Sequence, residues 1–291
     1  MECSYKFRLY PTQEQAEQIQ KTFGCCRFVW NHYLYLRKKK YKENGYIMNY
    51  YECSKDMTGL KKELTWLRDV ESSALQSSIR NLDTAFKNFF KCAKKGEKTG
   101  FPRFKSKKSH RHSYKSSSTC IRTCGNFIRL PKLGFVKCRI SRKLRGRIIS
   151  ATVSQDPSGK YFVSVCCTDV DFKPLPNTGK STCLSVGNDS LNKFEEKNKR
   201  KISRLQRQLS RKSKGSMRRE KARIKFARFH EHIANQRRDA IHKLSISLIR
   251  DYDTIVVRRV DLAYPASDVC GELRRQLKYK SEWYGKQVVF D

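Results

Sequence analysis

Hydrophobic and polar positions along the 291-residue chain alternate in some stretches and recur with helical spacing in others. Tyr5, Phe7 and Leu9 alternate with Lys6 and Arg8, which predicts a strand ended by Pro11. Thr12 with Gln15 three residues on is a capping-box pair, so a helix starts there and runs to about Phe23. Gly24 predicts a break, with a second helix over 25–41 whose Phe28, Tyr35 and Leu36 face a core. The pair reads as a helix-turn-helix or as an ordinary helical hairpin. Residues 45–51 are aromatic-rich and irregular. From Ser72, the positions Leu75, Ile79, Leu82, Phe86, Phe89 and Ala93 recur at steps of four and three, predicting an amphipathic helix. Short strands follow at 127–130, 135–136, 148–153 and 161–166, with Asp156, Pro157, Ser158 and Gly159 as a hairpin turn. They predict a small barrel that the first strand completes. After a linker at 174–179 come an apolar strand at 182–186 and a long helical hairpin. Ile202, Leu205 and Leu209 face inward on its first arm; Phe226, Phe229, Ile233, Ala240, Leu244 and Leu248 do so on the second. Gly215 breaks the run and Ser216 caps the second arm. A strand at 254–257, a helix at 272–283 and the start of a strand at 288–290 close the pattern.

Composition adds a partner class. Hydrophobic residues at 38% and aromatics at 11% are enough for a folded core. The 64 Lys and Arg against 27 Asp and Glu leave a net charge of +37. A compact body so charged repels itself unless an anion neutralises it, and nucleic acid is the polyanion that releases counterions on contact. No apolar run is long enough to span a membrane, and the N-terminus has no secretory h-region. The expectation is an intracellular, cytoplasmic protein with no membrane partner. The twelve cysteines include two adjacent pairs, Cys25–Cys26 and Cys166–Cys167, and no C-x-x-C. That spacing argues against zinc and disulfides and predicts free, mostly buried thiols. The six His residues supply no ligand set either.

The charge is patterned. Gln76, Arg80, Asp83 and Lys87 line a stripe beside the apolar face of the third helix, either as a solvated face or as a base-reading surface. Residues 96–115 form a basic loop, with Arg103 and Lys105 among the cations and Phe101, Phe104 and Tyr114 interleaved. This mixture suits phosphate contact with base stacking. Of the 32 residues at 197–228, 15 are Lys or Arg, including Arg204, Arg207, Arg211, Lys212, Arg218, Arg219 and Arg223. Few acids stand at i+4 to pair them, which favours nucleic-acid backbone contact over a merely solvated hairpin.

Several long segments then carry a resemblance: KFRLYPTQEQ with CCRFVWNHYL, TWLRDVESSALQSSIRNLDTAFKNFF, GFPRFKSKK, RLPKLGFVK, LSRKSKGSMRREKARIKFARFHEHIANQRRDAIHKLS and ELRRQLKYKSEWYGK. In this order they resemble the TnpB family of transposon-encoded RNA-guided DNA nucleases, smaller relatives of type V CRISPR effectors. The resemblance implies an α+β multidomain fold: a wedge-type β-barrel with a helical recognition insert, and a RuvC-like (RNase H-type) α/β domain. The expected segments are an N-terminal strand and helices at 1–45, the recognition insert and basic loop at 46–118, the barrel continuation at 119–173 and the RuvC-like domain at 180–291. It implies guide RNA and double-stranded target DNA as partners, the protein itself reading a short motif beside the target. Carried over position by position, Tyr50, Ser54, Ser72, Ser73, Gln76 and Thr119 are the expected motif contacts.

The departures from the family pattern concern metal chemistry. A RuvC site holds two metal ions with carboxylates. Ser185 stands where the family's first Asp is expected, and Arg258 where its Glu is expected. The third Asp and a four-cysteine zinc motif belong beyond EWYG, and the sequence stops at Asp291. Asp189, Asp253 and Asp261 are nearby acids. The expectation is therefore a truncated, degenerate RuvC-like domain with no magnesium or zinc site, in a protein that is not an enzyme. It resembles the TnpB-like nuclease-dead repressors, which occupy a promoter through a guide RNA. Alternatives are a nuclease with displaced ligands, an RNA-independent DNA-binding regulator and a decaying gene. Unpaired sheet edges in a shortened domain raise the expectation of cover by RNA or by self-association.

Overall fold

The structure, a computed structural model, describes all residues except 98, 109–110, 118, 186–188, 259–267 and 291; the side chains of 185, 189–196 and 268–270 also lie outside the description. The chain divides into two compact units, Met1–Val170 and Asp171–Asp291.

In the first unit, β1 (Cys3–Tyr10) buries Tyr5, Phe7 and Leu9, as its alternation predicts. The Thr12–Gln15 capping box opens α1: Thr12 Oγ1 accepts from the Gln15 N–H, and Gln15 Oε1 accepts from the Thr12 N–H. α1 then runs unbroken over Gln13–Asn44, so the expected break at Gly24 is wrong. A glycine inside a helix costs about 1 kcal/mol. Ile19, Phe23, Cys26, Val29, Trp30, Tyr33 and Leu34 are buried on both sides of it, which outweighs that cost. Continuity also resets the buried face: Tyr35, expected in the core, is 56% exposed, while Tyr33, Leu34 and Arg37 are buried.

Residues 45–49 are irregular as expected, but a helix not foreseen, α2 (Tyr50–Glu63), follows. Its signal is a second capping box, Asn49 with Glu52. A short 3-10 turn (Thr65–Arg68) leads to α3 (Ser72–Lys94), whose Leu75, Ile79 and Leu82 are fully buried. Ala93 is exposed, and Phe86 and Phe89 are half-buried against Phe101.

Arg37 ties α1 to α3. Its guanidinium donates to Asp83 Oδ1 at 3.1 Å and lies over the Phe86 ring; Asp83 Oδ2 also holds Lys87 at 2.9 Å. Removing the acid strands a buried cation, which typically costs about 3–5 kcal/mol. Asp83→Leu is therefore expected to lower the stability of the first unit by about that much in a urea melt, and Lys87→Ala by less than about 1 kcal/mol.

The remaining strands are β2 (His112–Ser116), β3 (Arg122–Cys124), β4 (Phe127–Leu130), β5 (Gly134–Arg139), β6 (Arg147–Gln155) and β7 (Tyr161–Thr168). They join β1 in one antiparallel sheet of order β2-β6-β7-β1-β5-β4-β3. The turn at 156–159 is the one the sequence predicts, with Gly159 N–H donating to Asp156 O. The expected closed barrel is corrected to an open sheet. The strands that would have to meet, β2 and β3, do not pair with each other: β3 has only three residues. β2 is instead covered by helices, with Tyr114 edge-on to Phe23 of α1 and Ser116 Oγ donating to Glu71 Oε1 beside α3.

In the second unit, β8 (Ser181–Ser185), β9 (Thr254–Arg258) and β10 (Gln287–Phe290) form a parallel sheet of order β10-β9-β8. Parallel neighbours need crossovers. α4 (Asp189–Ser210) and α5 (Met217–Asp251) make the first, and α6 (Asp268–Tyr284) the second. Ile241, Leu248, Ile249, Ile255, Val257, Leu273 and Leu277 form the core. Among the described residues no helix is long and apolar enough to cross a membrane.

Lys280 is buried where α6 meets α5, donating to Ser245 Oγ at 2.7 Å and to His242 O at 3.2 Å. Burial pushes its ammonium down to about 8. An unfolded lysine titrates near 10.4, so between about pH 8 and 10.4 the unfolded chain binds more protons and stability rises with pH. A pH series of denaturant melts is expected to show that rise. Lys280→Met should flatten it and stabilise the protein below pH 8.

Candidate nucleic-acid interface

The residues expected to read a DNA motif sit on α2, α3 and the segment after β2. Ser72, Gln76, Arg80 and Lys87 are exposed along α3, with Asp83 turned partly inward. Tyr50 opens α2 rather than lying in a loop; its hydroxyl accepts from Arg80 Nη2 at 3.2 Å, and the guanidinium lies 5.3 Å from its ring centroid. Ser54 is one turn further along α2. The structure thus brings Tyr50 to the Gln76–Arg80 stripe. Ser72 Oγ accepts from Lys61 Nζ at 2.8 Å, adding a cation that the sequence reading missed. Ser73 Oγ hydrogen-bonds Glu71 and accepts from the Ser117 N–H at 3.2 Å. The chain leaving β2 therefore passes the start of α3, and Thr119 is exposed two residues later.

The basic loop is stitched to α1. Trp30 Nε1 donates to Arg103 O at 3.0 Å, and the Asn31 amide exchanges two hydrogen bonds with the backbone of Lys105. Lys105 Nζ lies 3.9 Å from the Trp30 ring, and desolvation lowers its pKa. Lys38 sits over Phe101 and Phe104. Arg103, Phe101 and Phe104 remain exposed, but Tyr114 is buried and so is not available for base stacking.

In the second unit, Leu205 and Ile233 are buried between the arms of the hairpin, while Ile202 and Leu209 are half-buried. Arg204, Arg207, Arg211 and Arg218 are exposed, and Lys212 is half-buried. Two of the expected backbone contacts, Arg219 and Arg223, also have partners within the hairpin. Arg219 Nη1 donates to Leu209 O at 3.0 Å and Lys212 O at 2.8 Å, pinning the turn that Ser216 caps. Arg223 is held by Glu220 through bonds of 2.9 and 3.1 Å.

The two positions that stand where carboxylates were expected are direct partners: Ser185 of β8 is in register with Arg258 of β9. Arg258 is exposed. A guanidinium does not fit a divalent cation, which takes anionic or neutral oxygen ligands. Asp253 lies at the opposite end of β9, where it accepts from the N–H groups of Thr178 and Gly179 and from Lys286 Nζ. The Lys286 bond holds its carboxyl below the usual range, so this acid anchors the 174–179 segment. The Asp189 side chain and Asp261 lie outside the described residues. Among the described residues no three His, Cys, Asp or Glu are grouped to hold a metal ion. No disulfide joins the described cysteines. Five are buried, but Cys120, Cys124 and Cys183 are exposed, so "mostly buried" was too strong.

These features define a mixed helix-and-sheet protein whose polar α3 stripe and cationic hairpin suit a polyanion. Residues 1–46 match the IS605 OrfB family model described as "Helix-turn-helix domain", and residues 188–268 the one described as "Probable transposase". The chain is 35% identical to a "Putative RNA-guided DNA endonuclease" of Streptomyces pristinaespiralis, over 98% of this chain and 76% of that protein. It is 30% identical to the "Putative RNA-guided DNA endonuclease InsQ" of Escherichia coli K12, over 98% of this chain and 79% of that protein. A cryo-EM structure of a Cas12f1–sgRNA–target DNA complex aligns with 100% of this chain and 85% of that chain at 13% identity and a TM-score of 0.31. The chain belongs to the TnpB (IS605 OrfB) family.

The comparisons correct one expectation. The chain was expected not to be an enzyme, yet both relatives, similar along almost its whole length, are named as endonucleases. That expectation rested on Ser185 and Arg258 at two strand positions and on the third Asp and zinc motif expected beyond EWYG. Residues 186–188 and 259–267, which follow β8 and β9 and include Asp261, lie outside the description.

Proposed function

We propose that this protein carries a guide RNA and uses it to bind double-stranded DNA that matches the guide. The observation that carries the reading is the similarity, along 98% of the chain, to two relatives whose names specify RNA guidance and DNA as substrate. The net charge of +37 and the exposed cations of α4 and α5 are consistent with a resident polyanion. In this reading residues 46–118 form the recognition insert, and Tyr50, Ser54, Ser72, Ser73, Gln76 and Thr119 meet the duplex beside the target. The second unit is read as RuvC-like, its parallel β8–β9 pair setting Ser185 beside Arg258.

The test is a mobility-shift assay with protein purified together with its RNA. A duplex matching that RNA is expected to shift, and a scrambled duplex is not. Ribonuclease treatment is expected to abolish the shift; survival of specific binding after it would favour an RNA-independent regulator. The same reaction with magnesium reads strand cleavage, the activity in the relatives' names. Gln76→Ala and Arg80→Ala should relax the choice of flanking bases by about 1–3 kcal/mol per lost bidentate contact while leaving RNA loading unchanged.

A further inference from the structure

The outer face of β1, β5, β4 and β3 has a composition that the motif-reading and hairpin surfaces do not explain. Their inner face is apolar: Leu9, Val136, Cys138, Ile128 and Leu130 are buried. On the outer face, register puts Tyr10, Lys137 and Phe127 in one row across three strands. Phe135 is diagonal to Phe127, directly opposite Arg129. The three aromatic rings are 41%, 45% and 50% exposed for Tyr10, Phe127 and Phe135. Neighbouring strands are about 4.8 Å apart, so Tyr10 and Phe127 stand about 10 Å apart with a lysine between them. A cavity of about 350 Å³ opens here, lined by Tyr10, Asn126, Lys137, Cys138 and Arg139.

The charge is one-sided. Residues 98–155 contain sixteen Lys or Arg and no Asp or Glu. Two cross-strand pairs set like charges directly opposite: Arg8 with Arg139, and Arg122 with Arg129. Such pairs are destabilising. Arg8 Nε is enclosed without a hydrogen-bond partner among the described residues. An anion lying along the face would relieve both pairs. A second copy of this face offers no carboxylate to do so, and a lipid surface offers no bases to stack on the exposed rings.

The geometry points to this face as a platform for an unpaired segment of RNA. Bases stack on Phe127, Phe135 and Tyr10, and phosphates meet the paired arginines. The inference rests on the guide-RNA reading above and names the part of the protein that takes a single-stranded stretch of that RNA. RNA rather than DNA is the occupant because the arginine repulsion is present in the resting protein, and so calls for a resident anion rather than a transient target.

The test uses the full-length protein with its co-purified RNA. Ultraviolet cross-linking followed by nuclease and protease digestion is expected to yield ribonucleotide adducts on Tyr10, Phe127 or Phe135 by mass spectrometry. A Phe127→Leu, Phe135→Leu double variant is expected to bind the RNA at least about tenfold more weakly with the salt dependence unchanged. Arg129→Gln should instead flatten the slope of log affinity against log salt by about 0.7. If the double variant melts early, the wild-type adducts decide alone. Adducts found only elsewhere, adducts to DNA in place of RNA, or double-variant affinity within twofold of wild type would each overturn the platform while RNA is still bound. Wild-type protein that binds no RNA would overturn the guide-RNA reading as well, and that arm is read before any variant is made.

Discussion

A chain with Arg204, Arg211 and Arg218 all replaced by glutamine is expected to bind its RNA about 100- to 500-fold more weakly at 0.1 M salt. Each phosphate contact contributes about 0.7 to the salt slope for single strands and 0.9 for duplex, so each is worth about five- to eightfold at 0.1 M relative to 1 M. The three arginines are exposed on the hairpin, outside the Leu205 and Ile233 contacts that join its arms, so the fold should survive. Filter binding across a salt series checks this: the slope should fall by about 2 to 3. Arg219→Gln should behave differently. Its guanidinium holds the carbonyls of Leu209 and Lys212, so that variant should loosen the turn and lower thermal stability, with a smaller change in slope. An unchanged slope in the triple variant would mark the hairpin as a solvated face.

Gly146→Val is expected to destabilise the first unit by about 2–5 kcal/mol. Gly146 has φ +78, and a Cβ there would sit 2.0 Å from the Thr168 carbonyl oxygen and 3.0 Å from Val170 Cγ2. The left-handed backbone alone costs a non-glycine residue about 1–2 kcal/mol. Forcing atoms into packed space adds about 1–3 kcal/mol. The clash falls where β6 begins to pair with β7, Arg147 being in register with Thr168. Since whole domains are stable by only about 5–15 kcal/mol, much of the sheet's margin would go. Gly125→Ala is the control: φ is +53 but nothing lies within 4 Å of its Cβ, so only about 1–2 kcal/mol of backbone strain is expected. Urea melts of the two variants against the wild type measure the difference.

Much of the fold is written in local signals. The Tyr5–Leu9 alternation, the Thr12–Gln15 cap, the spacing of Leu75, Ile79 and Leu82, the turn at 156–159 and the Ser216 cap each depend on a few neighbouring residues. What was misread depends on distant ones. Gly24 is helical because packing on both sides of it outweighs its propensity. Helix α2 buries only Cys53 and Met57, too few positions to show a period, so its Asn49–Glu52 cap was the one available sign. Whether the sheet closes is set by which edge the helices cover, and no local pattern states that. Tyr114 looks like a stacking ring beside its basic neighbours until Phe23 of α1 is found against it.

The candidate site was legible in the same uneven way. The Gln76–Arg80 stripe follows from helical periodicity, but its contact with Tyr50 needs α2. That Ser185 and Arg258 matched corresponding strand ends was readable from the family pattern, and the register places them side by side. Arg219 and Arg223 look like free cations in a basic run because their partners, two backbone carbonyls and Glu220, are fixed by the turn and the helix geometry. The inference from two strand positions and the motifs expected beyond EWYG to a protein without enzymatic activity failed against similarity along 98% of the chain.

The central claim is that a specific RNA is part of the working protein. Its most direct test is to purify the protein from cells that express it with its native flanking DNA, and to sequence the RNA that stays bound after a high-salt wash. The account predicts one dominant species, in near-stoichiometric amount, with a segment left free to pair with DNA. Protein that emerges free of RNA, or that carries only a random sample of cellular transcripts, would contradict it.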